Sequence, residues 1–439
     1  MTPNPDSEEP EVQHQDRSER TEALSKMKRR AMRAALTLVL ATLVSATVRP
    51  ALAQSPLEAL INAKLQAEWT QRFDSGEHTN VRGSEATLSP QTAINIEQAI
   101  QRYSAIVASG GWPKVATQTT LRIGVRAAAV MTLRQRLKIS GDLDANSGNG
   151  DAYDSYVAEA VRRFQERHGI IADGVVRGST FAALNVPADV RLQQLETNLV
   201  RVRAMSGFLG DRYVMVNIPA AEIEAVDMGQ VASRHIGVVG KIDRQTPIVA
   251  SRITELNFNP FWTVPLSIIK KDLIPKMKED PQYLTKNKIR IYDGYGSELL
   301  PEQINWDSDE ATKYMFRQDP GEINSLGNVR INFSNPHNVY LHDTPSKTLF
   351  GKDYRFHSSG CVRVQNVREL VTWLLRDTPG WSRAQIDATI QSGERTDVKL
   401  VEPVPIYTTY ITAWATSGGV VNFRDDIYNR DGLGQYAQN

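Results

Sequence analysis

The stretch FHSSGCVRV, Phe356–Val364, holds Cys361, the only cysteine among 439 residues. Ser358, Ser359 and Gly360 run up to it, a small and flexible approach. A structural cysteine packs as a small hydrophobe among apolar neighbours. A nucleophilic one needs room for a substrate and a base nearby, because only the thiolate attacks and an imidazole can draw the thiol pKa down from about 8.5. Of the seven histidines, His337, His342 and His357 lie shortly before the cysteine. His342 ends the alternating run NVYLHD, just before the turn DTP. A strand end is a rigid mount for a base that must hold a thiol at hydrogen-bond distance. His342 is therefore the expected base, and Tyr340, on the same face by two-residue alternation, an expected wall of the substrate groove. His357 either positions the loop or faces solvent. Asp343 either orients His342 through its carboxylate or starts the Asp-Thr-Pro turn. A zinc site built from His337, His342, His357 and Cys361 is the rival chemistry, but the spacing fits no common zinc motif. The reading carries no metal and no cofactor.

Outward from that loop, the period changes along the chain. Residues 54–125 read as helical: Ser55-Pro56 and Ser89-Pro90 each open a helix, and Gly110-Gly111 closes the second. Residues 126–206 form a second helical unit, in which Val157, Ala160, Val161 and Phe164 share one face. Its acidic loop SGDLDANSGNGDAYD lacks the full EF-hand order and reads as a solvated connection. From Asp211 onward the pattern alternates: RYVMVNIP, AEIEAVD, RHIGVVG, ITELNFNPFWTVP, NVRINFS and HNVYLHD are strand candidates. Residues 279–322 read as polar, irregular and dotted with aromatics, a long connection of the kind that serves as a lid. VQNVRELVTWLLRD is an amphipathic helix, and a hairpin is expected around Gly418-Gly419.

Composition narrows the classes. Apolar content of 41% and charged content of 23% are those of a globular protein. A net charge of +1 gives no bulk attraction for nucleic acid. One cysteine excludes an intramolecular disulfide. Lys26, Lys28, Arg29, Arg30 and Arg33 precede the apolar run Ala34–Val48, and Ala51 and Ala53 give a small-residue exit before Gln54. That order is a secretory signal. The apolar run is short against the roughly 20 residues of a bilayer span, so cleavage and export are expected rather than a retained membrane anchor.

SSGCVR, Ser358–Arg363, resembles the active-site loop of L,D-transpeptidases with a YkuD-type domain, and VYLHDTP resembles the family's catalytic histidine segment. NFNPFWTVPLSI, GGWP and TAWATSGGVVNFRDDIY are similar to the large, YcbB-like branch. AVRRFQERHGIIADGVVRGSTFAALN is similar to its small helical peptidoglycan-binding module. Ser359 departs from many members, which carry His before the Gly. The resemblance implies a multi-domain α+β chain: a disordered N-terminus and signal over 1–53, a helical scaffold over 54–125, a peptidoglycan-binding domain over 126–206, and a mostly-β catalytic domain over 207–439 with a cap at 279–322. It also implies a reaction. Cys361 attacks a tetrapeptide stem of peptidoglycan, D-Ala leaves, His342 moves the proton, and a second stem's amine takes the acyl group. Gly360 and Cys361 amides are the expected oxyanion donors, with the carbonyl of Asp343 orienting His342. Arg363 either pairs with a stem carboxylate or braces the loop. Ser358, Ser359 and His357 complete the expected substrate contacts. Carbapenem-type β-lactams are the implied covalent inhibitors, and the periplasm the implied compartment. Alternatives using the same thioester are an L,D-carboxypeptidase and a protein-to-peptidoglycan transferase. A non-enzymatic wall-binding protein and a cysteine endopeptidase are the others, the last opposed by His342 preceding Cys361.

Overall fold

The computed structural model describes residues 84–116 and 119–432. The expected signal segment and the helix from Ser55 lie outside the described residues. Helix α1, Pro90–Ala108, starts where Ser89 and Thr92 exchange capping bonds and Pro90 takes the first turn. Its buried face, Ala93, Ile96, Ala99 and Tyr103, packs on α5, Ala188–Ser206, and on a C-terminal hairpin of β14, Ala413–Ala415, and β15, Val421–Phe423.

Between α1 and α5 lies a small module of α2, Ala128–Ser140, α3, Ser155–Arg167, and α4, Gly178–Asn185. Asp154 caps α3 by accepting the Val157 N–H at 3.0 Å. Leu133, Leu137, Val161, Phe164 and Leu184 form its separate core. The acids of the connecting loop are occupied: Asp142 pairs with Arg167 at 2.6 Å and Asp151 with Arg126 at 2.8 Å.

A nine-stranded sheet forms the rest of the frame, in the order β11-β3-β12-β10-β9-β4-β13-β1-β2. Its strands are β1, Arg212–Asn217; β2, Glu222–Asp227; β3, Gln230–Gly240; β4, Val249–Phe258; β9, Val329–Phe333; β10, Leu341–His342; β11, Phe356–Ser358; β12, Val362–Val364; and β13, Thr396–Thr409. β2 also pairs with β3, so the sheet curls back on itself. Alternation sorts the faces: in β9, Val329, Ile331 and Phe333 are buried while Arg330 and Asn332 face outward. The inner face packs with α6, Val367–Leu374, and α7, Arg383–Ser392. Among the described residues no helix is long and apolar enough to cross a membrane.

The segment read as irregular proves ordered. Strands β5, Trp262–Thr263, β6, Ile289–Tyr292, β7, Glu298–Leu299, and β8, Met315–Gln318, make a second sheet in the order β5-β8-β6-β7. Ile289, Ile291, Phe316, Leu273 and Met277 close a core of its own. The strands are two to four residues long, too short for alternation to show in the sequence. The helical stretch Leu266–Glu279 also belongs to this cap and contains a π-turn at Ile269–Leu273. Pro275 has no N–H to return to Lys271, which is where the regular α-helical ladder breaks.

Candidate active site

The Cys361 loop is fixed by short bonds to buried polar groups. Gly360 has φ +116°, open only to glycine. Thr246 Oγ1 donates to its carbonyl at 2.9 Å and accepts the Gly240 N–H at 2.9 Å. Ser358, expected to touch substrate, is buried and braces the turn instead: its Oγ donates to the Cys361 carbonyl at 2.5 Å and accepts the Gly360 N–H at 3.1 Å. The Gly360 amide is therefore committed within the loop. The Cys361 amide has no protein acceptor among the described residues. Ser359 is exposed, and its Oγ accepts from Arg244 at 2.9 Å. Arg244 also grips Asp272 of the cap, Nη2 to Oδ1 at 3.1 Å, so one guanidinium ties the thiol loop to the cap.

His342 is buried at the end of β10, which runs parallel to β12 with His342 opposite Arg363. Its Nδ1 lies 2.5 Å from the Asp343 carbonyl. A carbonyl only accepts, so Nδ1 carries the proton and Nε2 is left as an acceptor. The Asp343 carboxylate is turned elsewhere: it accepts the Asn328 N–H at 3.0 Å and pairs with Lys347. Gly327 makes room for it, since a Cβ there would collide with the Asp343 carboxylate. His357 is exposed, with Nε2 against the Tyr354 carbonyl at 3.1 Å. Tyr340 stands edge-on to His342, ring centroids 5.6 Å apart.

Cys361, His342, Tyr340 and Arg363 line one groove of about 560 Å³, to which the cap contributes Leu273 and Tyr283. The Arg363 side chain has no hydrogen-bond or ion-pair partner among the described residues, and its Nε is buried without an acceptor. Burial, then the Arg363 charge, pushes the His342 imidazole down to about 3. Burial pushes the Cys361 thiol up, against the opposing pull of the Tyr340 N–H and phenol and of Arg330 and Arg363. The resting groove thus holds a neutral thiol and a neutral imidazole. Only the thiolate attacks, and burial holds the thiol up, so alkylation of Cys361 by iodoacetamide, read by intact-protein mass, should climb about tenfold per pH unit from pH 5 to 8. A rate that is flat across that range would mean a standing thiolate–imidazolium pair and would remove the neutral one.

Residues 211–386 match the YkuD family, described as the L,D-transpeptidase catalytic domain. The chain carries an L,D-transpeptidase catalytic domain of the YkuD family. Residues 126–184 match a "Putative peptidoglycan binding domain". A "Putative L,D-transpeptidase" of Haemophilus influenzae is 35% identical over 240 residues, 54% of this chain and 48% of that one. The chain thus spans about half the length of this curated relative. Among solved structures, an L,D-transpeptidase from Mycobacterium smegmatis is 14% identical, over 45% of this chain and 58% of that one, with a TM-score of 0.23. The L,D-transpeptidase LdtMt1 in complex with imipenem is 13% identical, over 45% and 59%, with a TM-score of 0.22.

The YkuD domain brings His342, Tyr340, Arg363 and Cys361 to one groove. Sequence reasoning missed Thr246, Arg244 and Arg330, which come from elsewhere in the chain. Arg330 had a signal: it sits on the outward face of an alternating run. Its place opposite His342 depends on strand pairing, which alternation does not give.

Proposed function

We propose that this chain is an exported enzyme that cross-links peptidoglycan stems through a Cys361 thioester. The observation that carries the proposal is the His342 imidazole, clamped by the Asp343 carbonyl and left with a free Nε2 in the groove that also holds Cys361. In the first half-reaction Nε2 takes the thiol proton and Sγ attacks the carbonyl of the donor's third residue. The C–N bond to D-Ala breaks, and the imidazolium returns the proton to the departing amine. The Cys361 amide donates to the oxyanion, in place of the Gly360 amide already used by Ser358. Arg363, unpaired and half-buried, suits a donor carboxylate in bidentate geometry.

The cap lines the groove and is tied to the loop through Arg244. A thioester awaiting an amine must be kept from water, and shielding it is the role we give the cap. The module at 126–184 holds the enzyme on its polymeric substrate, raising the local concentration of stems. Carbapenem-type β-lactams, strained carbonyl compounds that a thiolate can open, are the proposed inhibitors, acting at Cys361.

The test is incubation with purified tetrapeptide stems followed by mass spectrometry. Stem dimers together with free D-Ala are expected. Tripeptide with no dimer would make the enzyme an L,D-carboxypeptidase. Unchanged stems would end the enzymatic reading.

A further inference from the structure

Three strands set a row of side chains beside the thiol. Arg330 of β9 stands opposite His342 of β10, and His342 opposite Arg363 of β12. Arg363 opens into the groove of Cys361. Arg330 lines a second groove, of about 730 Å³, on the other side of Trp262 and Tyr340, which border both. The Arg330 guanidinium lies 4.3 Å from the Tyr340 ring centroid. Among the described residues no carboxylate pairs with it, and its Nε is buried without an acceptor. Glu255 lines the same groove; Asn257 Nδ2 donates to it at 2.8 Å, and among the described residues no cation forms an ion pair with it. One groove therefore offers an unneutralised guanidinium and an unneutralised carboxylate, next to the base of the reaction.

We propose that this second groove seats the amine partner of acyl transfer, and that Arg330 recognises a carboxylate on the carbon bearing that amine. The inference rests on the thioester reading above. The ligand class is an α-amino acid centre, an ammonium beside a carboxylate, whether at the end of a diamino acid side chain or in a free amino acid. Glu255 attracts the ammonium, and Arg330 fixes the carboxylate bidentately. After the ammonium gives one proton to solvent, the amine nitrogen attacks the thioester carbonyl. The C–N bond forms, the C–S bond breaks, and sulfur keeps the bonding pair. His342 takes the second amine proton and passes it to sulfur, which restores the neutral pair. D-Ala, itself an α-amino acid, departs from the same seat in the first half-reaction, because that step is this one in reverse.

The test uses the full chain, a tetrapeptide donor and two labelled acceptors, D-alanine and D-alaninamide. Wild type should favour D-alanine by about tenfold to a hundredfold, the scale of a charge-assisted hydrogen bond. R330Q should bring the ratio close to one, and R330K should keep part of it. Ratios taken within one variant cancel any general loss of activity or folding. A wild-type ratio near one, or an R330Q ratio equal to wild type, would overturn the assignment. A Cys361 thioester that forms but gives only hydrolysis overturns it while leaving the nucleophile in place. Absence of the thioester in wild type overturns both readings.

Discussion

Cys361→Ala is expected to reduce cross-linking to the uncatalysed background while the protein stays folded. No second thiol exists to take over. Loss of a covalent nucleophile is an effect of about 10⁴-fold or more, since positioning and oxyanion donation alone leave only a small residue of catalysis. The cost to stability should stay within about 1 kcal/mol, because the side chain is small and only partly buried at the edge of the main core. The turn is held by Ser358, Thr246 and Gly360, none of which uses the sulfur. Two measurements check this: turnover of tetrapeptide stems, and intact mass after a carbapenem, where the variant should show no adduct. Wild-type turnover in the variant would sink the nucleophile assignment.

The chemistry was legible because it is local. A thiol after small residues, and a histidine at the end of an alternating run, are visible within a few positions of one another. What holds them was less legible. Thr246 reaches the loop from beyond β3, and Arg244 reaches both the loop and the cap. Those contacts come from tertiary approach, which no local pattern encodes. At Asp343 the residues alone left the carboxylate's part open, while the resemblance pointed to the carbonyl as the group that orients His342. Both groups belong to one residue: the carboxylate serves Asn328 and Lys347, and the carbonyl serves His342. Ser358 and Gly360 show the reverse case, where a motif read as substrate-facing spends its polar groups on its own turn. The cap was misread as irregular because its strands are short and its core is assembled from residues spread over Val264–Phe316.

His342→Ala should lower the rate of Cys361 acylation by about 10²-fold or more, the scale of losing a positioned general base. The thiol makes the loss severe: burial holds it up, so without an imidazole to accept its proton little thiolate forms at neutral pH. His357→Ala should do far less, because that ring is exposed and rests on the Tyr354 carbonyl. A larger loss from His357→Ala would transfer the base role to it. The same burial also has a consequence for stability. His342 is pushed down to about 3 in the folded protein, against about 6.5 in an unfolded chain. A depressed value means the unfolded state binds the proton first. The stabilising contribution is therefore complete above about pH 6.5 and is lost as pH falls toward 3. His168 and His235 are also pushed down by burial, so the comparison must be made between variants. His342→Gln cannot protonate there. Its denaturant midpoint should fall less steeply than wild type between pH 6.5 and 4, even where its stability at pH 7.5 is lower. Parallel slopes would mean that His342 is not held neutral by the fold, and the neutral thiol–imidazole pair would go with it.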